Sequence, residues 1–162
     1  MAAGATYEPI QTATLSSNSS VGVSFNSFSG YTDLVLIING TRSVADDIKL
    51  VFNSDSGSNY SRIGVYWNSS VRDAFGTNNN TSILCGDLPA SGLNGTVMVN
   101  IFNYSSSNIY KTCHATNRLA SQSQIRACTW RNTNAITTID VTVNQGVFYS
   151  GTSFTLYGIL AA

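Results

Sequence analysis

Apolar and polar residues alternate with a period of two in several short runs, and this alternation constrains the fold more than any other feature of the sequence. Val97, Val99 and Ile101 stand opposite Met98, Asn100 and Phe102. Ile139, Val141 and Val143 stand opposite Asp140, Thr142 and Asn144, and Phe154 and Leu156 opposite Thr155 and Tyr157, while Val21, Val23 and Phe25 repeat the theme. Successive side chains on a strand point to opposite faces, so each run buries one face and wets the other. Runs of this kind, bounded by Gly, Asn, Ser and Pro, predict strands at 10–15, 20–28, 31–39, 47–53, 61–67, 95–104, 109–116, 125–131, 136–144 and 153–160. Ten short strands in 162 residues imply an all-β, antiparallel two-sheet β-sandwich, jelly-roll-like.

Composition supports the same class. Val, Ile and Thr together supply 41 residues, whereas Glu, Gln and Lys supply seven, so β-branched residues far outnumber good helix formers. Asn39-Gly40, Asn94-Gly95, Ser56-Gly57 and Ser150-Gly151 fall between runs and mark turns. The unbroken apolar stretch Leu34 to Ile38 departs from alternation and predicts a central strand covered on both sides. The first nine residues lack a pattern, which predicts an N-terminal arm at 1–9 and one sandwich domain at 10–162. The polar stretches 68–82 and 117–124 read as long loops, with a short helix near 118–124 as the alternative for the second.

Eight Lys+Arg balance eight Asp+Glu, and charged residues make up only 10% of the chain. A nucleic-acid footprint and a polybasic membrane patch therefore both lack material, so no nucleic acid and no membrane is expected as a partner. Met1 to Ile10 has no basic or apolar run of a secretory leader, and Leu34–Ile38 is far too short to cross a bilayer. Cys85, Cys113 and Cys128 form an odd set without close spacing, as expected of thiols kept reduced in a cytoplasm.

The chemical inventory is sparse. One His and one Glu leave little for acid–base work. His114 adjoins Cys113, but neighbours on a strand diverge, so the pair does not read as nucleophile and base. Three cysteines and one histidine without paired spacing do not make a zinc site. Asn53, Asp55 and Asn59 around Gly57 resemble a weak calcium turn; a hairpin in which Asp55 and Asn59 bond their own backbone uses the same residues. Tyr66, Trp67, Tyr104 and Tyr149 are candidate exposed aromatics for stacking on sugar faces, Tyr66 and Trp67 pointing to opposite sides. Trp130 reads as core. These observations lead to the expectation of a chain that is no enzyme and has no catalytic residues and no cofactor.

A sandwich must also protect its edge strands, and two Lys, two Pro and zero net charge give this chain few means to do so. Self-association is the expected state.

Tyr7-Glu8-Pro9-Ile10, Tyr31-Thr32-Asp33-Leu34-Val35-Leu36, the stretch Asn53 to Ser61, Trp130-Arg131-Asn132-Thr133 with Ala135-Ile136-Thr137, and Phe154-Thr155-Leu156-Tyr157-Gly158-Ile159 run in order through nearly the whole chain. In these the sequence resembles a family of small structural proteins of tailed bacteriophages, notably phages of cyanobacteria. The resemblance implies a virion component made in the bacterial host cytoplasm. It suggests a capsid decoration (cement) protein, forming a homotrimer and contacting the major capsid protein; the alternative is a tail or head fibre or neck appendage that binds host glycan.

Overall fold

Strand-forming segments that are individually marginal become stable here by sharing one core between two sheets. The computed structural model describes residues 6–68, 70–90, 92–119 and 122–160. Among them the chain is all-β, with strands β1 (Tyr7–Thr14), β2 (Val21–Phe25), β3 (Asp33–Gly40), β4 (Asp47–Phe52), β5 (Tyr60–Asn68), β6 (Arg72–Asn80), β7 (Ile83–Asp87), β8 (Gly95–Phe102), β9 (Lys111–Arg118), β10 (Gln122–Trp130), β11 (Ile139–Val143) and β12 (Ser153–Ile159). An eight-stranded sheet has the order β1-β12-β3-β8-β9-β10-β5-β6, and a four-stranded sheet the order β2-β11-β4-β7. All pairings are antiparallel.

The small sheet lies over the middle of the large one, β2 above β12 and β7 above β9 and β10. Between them sit Leu34, Leu36 and Ile38 of β3, Val97, Val99 and Ile101 of β8, Cys113 and Ala115 of β9, and Phe154 and Leu156 of β12. Leu50 and Phe52 of β4 and Ile139 and Val141 of β11 close the core from the other side. Trp130 is fully buried as expected, with its ring stacked on Tyr60 at 6.2 Å and edge-on to Phe52 at 5.7 Å. β3 is central, and of its outward apolar residues Val35 is buried while Ile37 is half-buried, so the outer face of the run is covered in part.

Three expectations need correction. Tyr7, Glu8 and Pro9, read as part of an arm, begin β1 and pair with Ile159, Gly158 and Tyr157 of β12; Met1–Ala5 lie outside the described residues. A register shift between Pro9 and Gln11 breaks the alternation there, which hides the strand from a periodicity reading. The stretch 68–82 is no loop, since it holds β6 and leads directly into β7. β6 is exposed at seven of nine positions, and a strand with neither face covered has no apolar alternation to display. In the segment 117–124, Asn117 and Arg118 end β9 and Gln122 to Gln124 begin β10, antiparallel to it, with Leu119 N–H donating to the Gln122 carbonyl at 2.8 Å, so the described residues form neither a long loop nor a helix; Ala120 and Ser121 lie outside the described residues.

Candidate functional site

β7 of the small sheet reaches β5, and β6 extends beyond it, so that β5 and β6 end the large sheet as a wing. Paired residues share a face, so the registers place Gly76, Ile63, Ala127 and His114 in one row across β6, β5, β10 and β9. The next row is Ala74, Val65, Ile125 and Thr116, and the third is Arg72, Trp67, Ser123 and Arg118. Ile63 is 64% exposed, Ile125 49% and Trp67 43%. Beside the third row a groove of about 660 Å³ is lined by Val65, Tyr66, Trp67, Arg72, Asp73 and Ala74. At its other end Arg118 and Thr96, with Pro89, Leu93 and Leu119, line a second groove of about 440 Å³.

Beneath the wing, between the sheets, lies a cluster of ions. Asp47 opens β4 and Asp87 closes β7, and the two are register partners. Arg126 of β10, 4% exposed, binds Asp47 Oδ1, and Arg62 of β5 binds Asp47 Oδ2 at 2.7 Å. Asp87 Oδ2 accepts from Gln124 Nε2 at 3.1 Å, while its Oδ1 is 3.8 Å from Arg126. Phe75 of β6 lies over both guanidiniums at 5.2 Å. Gly64 makes this possible, because a Cβ there would stand 2.7 Å from the Phe75 ring. Burial opposes ionisation of Asp47, yet the two guanidiniums outweigh it and hold the carboxyl below its usual range. Asp87 has the weaker partner. Burial first, and then the neighbouring Asp47 charge, push it up to about 6.

Nearby, Arg42 is fully buried without a carboxylate in contact and donates to the carbonyls of Asp46 and Gln145. Lys111, also fully buried, donates to the Ile109 and Thr133 carbonyls at 2.9 and 3.0 Å, and burial lowers its pKa.

The residues singled out from the sequence fall in different places. Asn53, Asp55 and Asn59 do not converge on a shared cavity. Asn53 turns away, its Oδ1 accepting from Thr137 N–H at 2.7 Å and its Nδ2 donating to the Ala135 carbonyl at 2.8 Å. Asp55 accepts from Gly57 N–H, from Asn59 Nδ2 and, at 2.7 Å, from Trp130 Nε1. Its oxygens thus tie the turn to the core. Asn53 and Ser54 both have positive φ, 53° and 55°, a conformation that Asn tolerates in a tight turn, and the turn carries the chain from β4 of the small sheet to β5 of the large one, so it is no hairpin.

Tyr104, expected to be exposed, is 3% exposed and packs edge-on to Phe28 at 5.5 Å. Tyr149 is half-buried, and Tyr66 turns inward to Phe75 at 6.3 Å, leaving Trp67 as the exposed member of that pair. Cys113 is buried, whereas His114 is exposed against Phe102, so the two diverge. The three thiols are buried and free, and burial raises the pKa of each. Asp47 reads in the sequence as a strand start, which it is, but its meeting with Asp87, Arg62 and Arg126 has no local signal beyond charges placed within or at the ends of strands.

No family model and no curated protein matches the chain. Among solved structures it is similar to alginate lyase Aly36B, with a TM-score of 0.38 and 12% identity over 93% of this chain and 81% of that one. Two double mutants of the same lyase, solved with an alginate tetrasaccharide and an alginate trisaccharide, give TM-scores of 0.32 and 0.34 at 13% and 11% identity. They cover 93% and 91% of this chain and 81% and 80% of theirs. The expectation that the chain is no enzyme is corrected here. The solved structures it is similar to are of an alginate lyase, an enzyme, against that expectation. The likeness concerns the fold and assigns no substrate or activity to this chain.

Proposed function

We propose that the chain is a structural component of a tailed-bacteriophage particle, a capsid decoration protein that joins its neighbours through an open sheet edge. The observation that carries this reading is β6. It ends the eight-stranded sheet, is exposed at most of its positions, and between Arg72 and Thr77 runs in regular register with β5 without Lys or Pro. The backbone groups on its free side are a template for another strand. At the opposite edge, β1 is blunted by Pro9 and by the register shift beside it. The exposed Ile63 and Val65 of the wing, the adjacent Ile125 of β10 and the zero net charge favour association as well. Other copies, arranged as a trimer, and the major capsid protein are the partners this reading names, in keeping with the resemblance of the sequence to phage structural proteins.

Two measurements test it. Ala74 N–H donates to the Asp73 side chain at 2.8 Å and not to β5, so Ala74→Pro blocks the free edge while sparing the β5–β6 ladder. Light scattering after size exclusion is expected to show an oligomer for the native chain and a shift toward monomer for this variant, at an unchanged melting temperature. A native chain that stays monomeric at high concentration overturns the assembly reading. A quantitative gel of purified particles is expected to show hundreds of copies per virion; a few dozen assign the chain to an appendage, and none overturns the virion role.

A further inference from the structure

The third row of the outer face differs from the rows beside it. Arg72, Trp67, Ser123 and Arg118 cross four adjacent strands in register, and each end of the row lines a groove, Trp67 and Arg72 the first and Arg118 with Thr96 the second. Neighbouring strands are about 4.8 Å apart, so the row spans about 14 Å and presents one side chain per step, a repeat close to that of successive pyranose rings in an extended glycan. Outward-facing positions of β5, β6, β9 and β10 carry no Asp or Glu, leaving both guanidiniums of the row without a carboxylate on their own face. Asp73 lines the first groove from the adjacent position, with Oδ1 held by Ala74 N–H at 2.8 Å.

We infer that this row binds an acidic oligosaccharide, with Trp67 under the apolar face of one ring and Arg72 and Arg118 pairing with anionic groups of the rings on either side. The planar guanidinium matches a carboxylate or sulfate oxygen pair, and the exposed indole offers a flat apolar platform between the two charges. Ser123 and Thr96 add hydroxyls. Two cations on an electroneutral chain are too few for a nucleic acid, whose binding rests on neutralising many phosphates. The site concerns the face of the wing and leaves the β6 edge free, so it goes beyond the assembly reading and does not depend on it.

The test is calorimetric titration at low salt with trigalacturonate, a sulfated trisaccharide and neutral maltotriose. The acidic sugars are expected to bind, the one preferred identifying carboxylate or sulfate as the recognised group, while maltotriose binds at least tenfold more weakly. Arg72→Gln combined with Arg118→Gln, and separately Trp67→Ala, are expected to weaken acidic-sugar binding at least tenfold at an unchanged melting temperature, and added salt to weaken it further. Lack of binding by either acidic sugar, equal affinity for maltotriose, or affinity untouched by these substitutions overturns the inference. The double arginine variant is expected to retain the native oligomeric mass, so failure of the glycan site and failure of the edge are read separately.

Discussion

At the scale of single residues, the largest effect of environment on chemistry falls on two aspartates that the sequence does not single out. Asp47 and Asp87 share the low-dielectric space between the sheets, but Asp47 takes two guanidiniums and Asp87 makes do with Gln124 and a more distant Arg126. The Asp87 carboxyl, pushed up to about 6, holds a proton in the folded protein at pH values where the unfolded chain has already lost it. Between about pH 4 and 6 the folded state therefore binds more protons, and stability falls as pH rises through that window. Asp47 acts in the opposite sense and more weakly on this window. Its lowered pKa contributes stability that is present at neutral pH and lost only on stronger acidification. Native protein is expected to melt a few degrees higher at pH 5 than at pH 7, and Asp87→Asn to remove that difference while still accepting from Gln124. A native melting temperature that rises steadily from pH 5 to 7 contradicts the assignment. Of the aromatic residues, Trp130 is legible as core because it closes an apolar run. Tyr104 is misread because its partner Phe28 is 76 positions away and announces itself only in three dimensions.

At the scale of elements, β6 shows why a strand can be invisible in sequence. Alternation records the coverage of one face, and a strand with both faces exposed leaves no record. What holds β6 in place is its ladder to β5 and the single inward ring of Phe75, seated over Arg62 and Arg126 in the space that Gly64 leaves open. Filling that space with Gly64→Val drives a Cβ against the ring and against the Ile125 carbonyl, each at 2.7 Å. The expected outcome is a loss of about 1–3 kcal/mol in denaturant titrations, as for other overpacked sites, with faster hydrogen exchange confined to β5 and β6. Uniform loss of protection across both sheets contradicts the description of β6 as an outlying wing. The β9–β10 hairpin was misread for a related reason. Asn117 and Gln124 look like loop residues, yet both point inward because Asp87 is there to receive them.

At the scale of the whole molecule, stability comes from one apolar layer shared by unequal sheets. Leu36 is fully buried in β3 and flanked in register by Leu156 and Val99. Leu36→Ala removes side-chain volume where strands on both sides are fixed by their ladders and collapse is restricted. A loss of about 2–5 kcal/mol is expected, with both sheets melting in one transition. Two separate transitions contradict a shared core. The sequence by itself determined the class of fold and most of the strands, because alternation and β-branched composition are local properties that each segment carries alone. It determined the inward apolar residues of the alternating strands for the same reason. Only the tertiary structure decided that β6 extends beyond the small sheet and that Arg72, Trp67, Ser123 and Arg118 align in one row across four strands. It also decided that Asp47 and Asp87 meet, since a carboxylate's partners depend on which strands pair, and pairing between distant segments is written in no single stretch of the chain.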